Sequence, residues 1–104
     1  METQKINISK KIDGKIAVTS DDAQIIFNII SKNIQKSIIS ELDFSDIETL
    51  TTSFLNEAIG NLYKVADGKT ISELVKVDTQ KINIPQYKTI LKVIENARDK
   101  NGEY

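Results

Sequence analysis

The sequence predicts an α/β fold: a mixed four- to five-stranded sheet opened by an N-terminal β-hairpin, with three to four helices packed on it. Short isoleucine-rich runs alternate along the chain with longer segments whose apolar residues recur at i, i+3, i+4 and i+7. Asp13-Gly14, the dipeptide that most readily closes a tight hairpin, separates two runs of alternating apolar and polar residues. Between Ser37 and Tyr63, an apolar run (Ile38, Ile39, Leu42) leads through a polar turn into an amphipathic segment.

Taken in order, Lys5 to Lys10 alternates Ile6 and Ile8 with polar neighbours, as a half-exposed strand does. Ile16 and Val18 give the return strand, antiparallel because so short a connection cannot make a parallel crossover. Thr19-Ser20-Asp21-Asp22 is a helix start, with Gln24 placed for a capping box with Asp21. The helix that follows, Asp22 to Gln35, carries Ala23, Ile26, Phe27, Ile30 and Ile34 as its core stripe. Ser37 to Phe44 reads as the next strand, and Leu55, Ala58, Ile59 and Leu62 form the buried face of a helix running to Tyr63. Asp67-Gly68-Lys69 reads as a stop and loop, and Thr70 to Val77 as a short helix continued into an extended segment. Lys81 to Ile84 alternates like a last strand. Pro85 then opens a final helix with Tyr87, Ile90, Leu91, Ile94 and Ala97 inward, and Arg98 to Gly102 as a basic, glycine-terminated end.

At 104 residues and 39% hydrophobic content, the chain is expected to form a single domain over residues 1–104. It has no cysteine and no histidine, which removes thiol chemistry, disulfides and the commonest general base and metal ligand. The expectation is therefore a protein that is not an enzyme and uses neither metal nor cofactor. A net charge of −1 gives no global field to hold a polyanion, so nucleic acid is not the expected partner. The N-terminus lacks the apolar core of a signal peptide and no run reaches membrane-spanning length, which predicts a soluble, cytoplasmic protein without a membrane partner.

The chemistry-bearing residues gather around the central turn. Thr51, Thr52 and Ser53 stand where a strand delivers the chain to a helix, a place for capping hydroxyls or for phosphate. Asp43 ends the buried strand, where open α/β sheets place ligand-facing residues, and Ser45 and Asp46 follow in the turn. Glu48 and Glu57 complete a group of acids whose ordinary role is capping or solvation. Asp67-Gly68-Lys69-Thr70 lacks the earlier glycine of a phosphate-binding loop and is rejected as one. Lys10, Lys11 and Lys15 flank the predicted hairpin and read as protection of a sheet edge.

Leu42-Asp43-Phe44-Ser45-Asp46-Ile47, followed by Thr51-Thr52-Ser53-Phe54-Leu55, resembles the STAS group of sulfate-transporter and anti-sigma-factor-antagonist domains. More closely it resembles a bacterial STAS-like family of unknown function, and the order of predicted elements extends the likeness over most of the chain. In antagonists the turn reads Asp-Ser-Ser-Gly or Asp-Ser-Thr-Gly, and a histidine-kinase-like ATPase phosphorylates its first hydroxyl. In register, Thr51 stands at the acidic position, Thr52 at the phosphoacceptor, Ser53 at the second hydroxyl and Phe54 at the glycine.

The resemblance implies a non-catalytic regulatory module that binds a histidine-kinase-like ATPase through Asp43, Ser45, Asp46, Thr51 and Phe54, with Thr52 and Ser53 as phosphoacceptor candidates. Phosphate there adds about two negative charges beside Asp46. The alternative expectation is a small-molecule or anion-binding domain using the same helix start.

Overall fold

The computed structural model describes residues 1–80 and 82–100. In chain order its elements are β1 (Thr3–Asn7), α1 (Ile8–Ile12), β2 (Ile16–Ala17), α2 (Ser20–Gln35), β3 (Ile39–Asp43), β4 (Thr49–Leu50), α3 (Thr52–Ala58), a 3₁₀ turn (Gly60–Lys64), α4 (Gly68–Leu74), β5 (Val75–Val77) and α5 (Ile84–Lys100). The described residues thus form an α/β fold with five α-helices and two small parallel sheets. The larger sheet has the order β1-β3-β5, and β2 pairs with β4 in the smaller one.

The central sheet has one dry face and one wet face. Side chains alternate along a strand, so residues in register across parallel strands share a face. Gln4 and Ile6 lie beside Ser40 and Leu42, which lie beside Val75 and Val77, and on this face Ile6, Ser40 and Leu42 are buried. The opposite face sets Glu41 between Lys5 and Lys76, a cross-strand row of alternating charge that faces water. Helix α2 covers the dry face. Its Asn33, buried with Ser40 in an otherwise apolar core, donates through Nδ2 to Ser40 Oγ at 3.0 Å and to Gln4 Oε1 at 2.9 Å. One amide therefore ties α2 to both β3 and β1. The apolar core gathers Ile6, Leu42, Ile26, Ile30, Leu55 and Ile90 from the sheet, α2, α3 and α5.

The expected N-terminal hairpin is not formed, and the sheet is parallel, not mixed. Ile8 and Ile12, four apart, are both buried, and a single helical turn brings them to one side. Asn7 caps that turn by accepting from the Lys10 N–H at 3.0 Å. Asp13 ends it with φ 57°, and the Gly14 N–H reaches back to the Ser9 carbonyl at 3.0 Å, so the Asp-Gly pair terminates a helix. Lys10 and Lys11 consequently lie in the last turn of α1, and Lys15 pairs with Glu48 at 3.8 Å between exposed side chains, so none of the three guards a hairpin edge.

Other boundaries differ more modestly. Helix α2 is capped by Thr19, whose Oγ1 accepts from the Asp22 N–H at 3.1 Å, while Gln24 bonds Asn28 instead of completing a box with Asp21. In β3 the buried pair is Ser40 and Leu42, with Ile38 and Ile39 half-buried. The predicted central helix is divided into α3 and the 3₁₀ turn, although its core set of Leu55, Ala58, Ile59 and Leu62 is buried throughout. Asp67 starts α4 rather than stopping a helix, accepting from the Thr70 N–H at 2.7 Å; this bond holds its carboxyl below the usual range. The short helix and extended segment predicted over Thr70 to Val77 are α4 and β5.

In the predicted last strand, Lys81 lies outside the described residues, Ile82 and Asn83 are not extended into a strand, and Ile84 already belongs to α5. Asn83 caps that helix by accepting from the Gln86 N–H at 2.8 Å. The expected basic helix end reaches Lys100, while Asn101 and Gly102 lie outside the described residues. Among the described residues no helix is long and apolar enough to cross a membrane.

Candidate functional site

The corner between β3 and α3 is residues 43–54, a turn and β4 that join the two elements, with a buried phenylalanine, Phe44 or Phe54, toward either end. Phe44, 1% exposed, follows β3 into the core, and the turn after it closes by an Ile47 N–H to Phe44 carbonyl bond of 3.0 Å. Asp43 accepts from the Ser45 N–H at 2.9 Å. Hydrogen bonding from Ser45, through its side chain first and then its backbone, holds the Asp43 carboxyl below the usual range against partial burial and the like charge of Asp78. The charges that reach Asp43 are those of Asp78 and Lys5, which pair with each other at 3.0 Å. Asp46 stands exposed at the tip of the turn.

The chain then runs through β4, whose ladder with β2 is extended by the Thr51 N–H bonding the Ala17 carbonyl at 3.3 Å. Thr51 is the N-cap of α3: with φ −105° and ψ 154°, its Oγ1 accepts from the Phe54 N–H at 3.1 Å. Of three consecutive hydroxyls, one is therefore occupied by capping. Thr52 and Ser53 are exposed.

Phe54 is corrected as a contact residue. It is 1% exposed and packs in the core, because the first turn of α3 must bury an apolar residue to stay on the domain; it leaves a partner no side chain to touch. The remaining acids are also placed. Glu57 accepts from the Ser20 hydroxyl, joining α3 to α2, and Glu48 pairs with Lys15. No group of three or more acids positioned to hold a metal ion occurs among the described residues.

Sequence reasoning missed the contribution of α5. Gln86 Nε2 donates to the Ile47 carbonyl at 2.9 Å, anchoring the first turn of α5 to the turn after β3. A cleft of about 500 Å³ lies between Glu48, Thr49 and Leu50 on one side and Pro85, Gln86 and Thr89 on the other. Thr89 also borders a second cleft, of about 360 Å³, with Thr52, Lys92 and Asn96. Thr52 and Asn96 border a third, of about 400 Å³, where Lys64 and Lys100 supply the charge. Thr52 thus faces a lysine-lined wall of α5, whereas Ser53 borders none of these clefts. The available signal was the polar spacing Gln86, Thr89, Asn96 along one side of α5.

A family model described as a STAS-like domain of unknown function (DUF4325) matches residues 22–79, from the first turn of α2 to just past β5. The corner lies wholly inside the matched region; β1, β2 and α5 lie outside it. No curated protein and no solved structure matches the chain.

Proposed function

We propose, from the premise that the chain belongs to the STAS-like domain family of unknown function, that it is a non-catalytic regulatory module that docks a histidine-kinase-like ATPase at the corner between β3 and α3. The observation that carries this reading is the division of labour at the corner. Thr51 spends its hydroxyl on the cap and Phe44 and Phe54 fix the corner from below, which leaves Thr52, Ser53 and Asp46 exposed on a rigid base. Ser45 and Asp43 hold the turn at its edge.

Of the two exposed hydroxyls, Thr52 is the better phosphoacceptor. A phosphate on it adds about two negative charges, and its cleft-mates include Lys92 and Lys64, which offset that charge. The same phosphate alters the surface offered to the partner, giving a switch. Anion binding at the start of α3 is the less favoured alternative, because the helix has only seven residues and the Phe54 N–H is already bonded to Thr51.

The test is affinity capture from cells expressing the tagged chain. The expected result is an ATPase of this class identified by mass spectrometry with the wild type and with Lys10→Glu on α1, and lost with Thr52→Glu and with Asp46→Lys. No such ATPase, or one retained by the corner variants, refutes the docking surface. With the captured ATPase and ATP, phosphate on neither Thr52 nor Ser53 removes the switch but leaves the docking module.

A further inference from the structure

We infer that the cleft between α4, β5 and α5 binds a small amphipathic carboxylate. It encloses about 320 Å³, within the roughly 300–1,000 Å³ typical of small-molecule sites. It shares no residue with the β3–α3 corner, so the inference stands apart from the partner-docking reading.

Helix α5 carries two apolar stripes. Ile90, Val93 and Ala97 form the first and are buried by the chain. Tyr87, Leu91 and Ile94, spaced four and three apart, form the second and line the cleft, where Leu91 remains 44% exposed. Ile71 of α4 and Val75 and Val77 of β5 supply the facing wall. Together these side chains make one continuous apolar lining in which Leu91 is still reached by water.

The charges at the cleft specify the occupant. Its charged lining residues are Lys76 and Arg98, both cationic, in a chain whose net charge is −1. Lys76 stands beside Glu41 in the ladder, but its Nζ donates to the carbonyl of Ser72, itself a cleft-lining residue, at 2.7 Å, which turns the ammonium toward the cleft and leaves two of its three donors. Arg98 forms no ion pair among the described residues, and its planar fork matches a carboxylate. Tyr63 and Tyr87 add rings with polar tips. Mostly apolar walls with two cations suit one negative charge on an apolar body, not a polyphosphate.

Decanoate, with decanol as its neutral counterpart, tests the assignment by amide chemical-shift titration of the full chain. The expected result is shifts concentrated in residues 71–77 and 87–98, with decanoate binding at least about tenfold tighter than decanol. Arg98→Gln combined with Lys76→Gln is expected to abolish that advantage while leaving decanol binding unchanged. Should the double variant not fold, the comparison of the two probes on the wild type still decides.

Equal binding of both probes, shifts centred on residues 43–53, or no binding overturns the assignment. So does a dimer that Leu91→Asp dissociates and decanoate does not, which assigns the stripe to a second copy.

Discussion

Near the beginning of β3, Ser40 accepts from Asn33 of α2, which also donates to Gln4 of β1, a set of neutral groups with Ser40 and Asn33 buried. At the end of the same strand, Asp43, Ser45, Lys5 and Asp78 form a charged group within reach of water. The difference lies in what surrounds the polar atoms. A buried polar group must be bonded inside the protein, so the Asn33 cluster spends its capacity on joining three elements. The groups at the other end bond one another, Asp43 to Ser45 and Lys5 to Asp78, and still touch water. Polar residues three positions apart, Ser40 and Asp43, thus hold the fold together in one place and meet water in the other.

The sharpest test of that division is the floor beneath the exposed corner. Phe54→Ala is expected to reduce unfolding free energy by about 3–5 kcal/mol in denaturant titration, as a core residue does; a change near zero would mean that it is a surface contact after all. Asn33→Ala comes next, with a loss of about 1–3 kcal/mol because the buried Ser40 hydroxyl loses its partner. A loss under about 0.5 kcal/mol would erase the distinction between the two ends of β3.

Asp43→Asn should have the smallest effect on stability and show it chiefly through pH. Its folded carboxyl titrates below the ordinary 3.8, so on acidification the unfolded chain takes up the proton first. The stabilisation from its bonds to Ser45 is whole above that ordinary value and fades as pH falls through the lowered one. Wild type and Asp43→Asn should therefore converge in stability in acid and separate toward neutral pH. Curves that stay parallel across that window contradict the assigned bonds.

Much of this arrangement was legible in the residues. The order of α2, β3, α3, α4 and β5 followed from apolar spacing, and the corner followed from a buried strand running into three hydroxyls. The hairpin was misread because Ile6 and Ile8 alternate like a strand while Ile8 and Ile12 keep helical spacing, and a five-residue helix is too short for its period to decide. Asn33 was invisible for a related reason: a single amide on an apolar stripe declares its burial only when its partners Gln4 and Ser40 are brought together from distant parts of the chain. The role of α5 at the corner also depends on a long-range contact, the Gln86 bond to the Ile47 carbonyl, which local patterning does not encode.

The most direct test of the central claim is the affinity of the captured ATPase for Thr52→Glu, measured by titration calorimetry beside wild type. The docking account predicts affinity at least about tenfold weaker with an unchanged melting temperature. An unchanged Kd, or an equal loss in Lys10→Glu on α1, would contradict it.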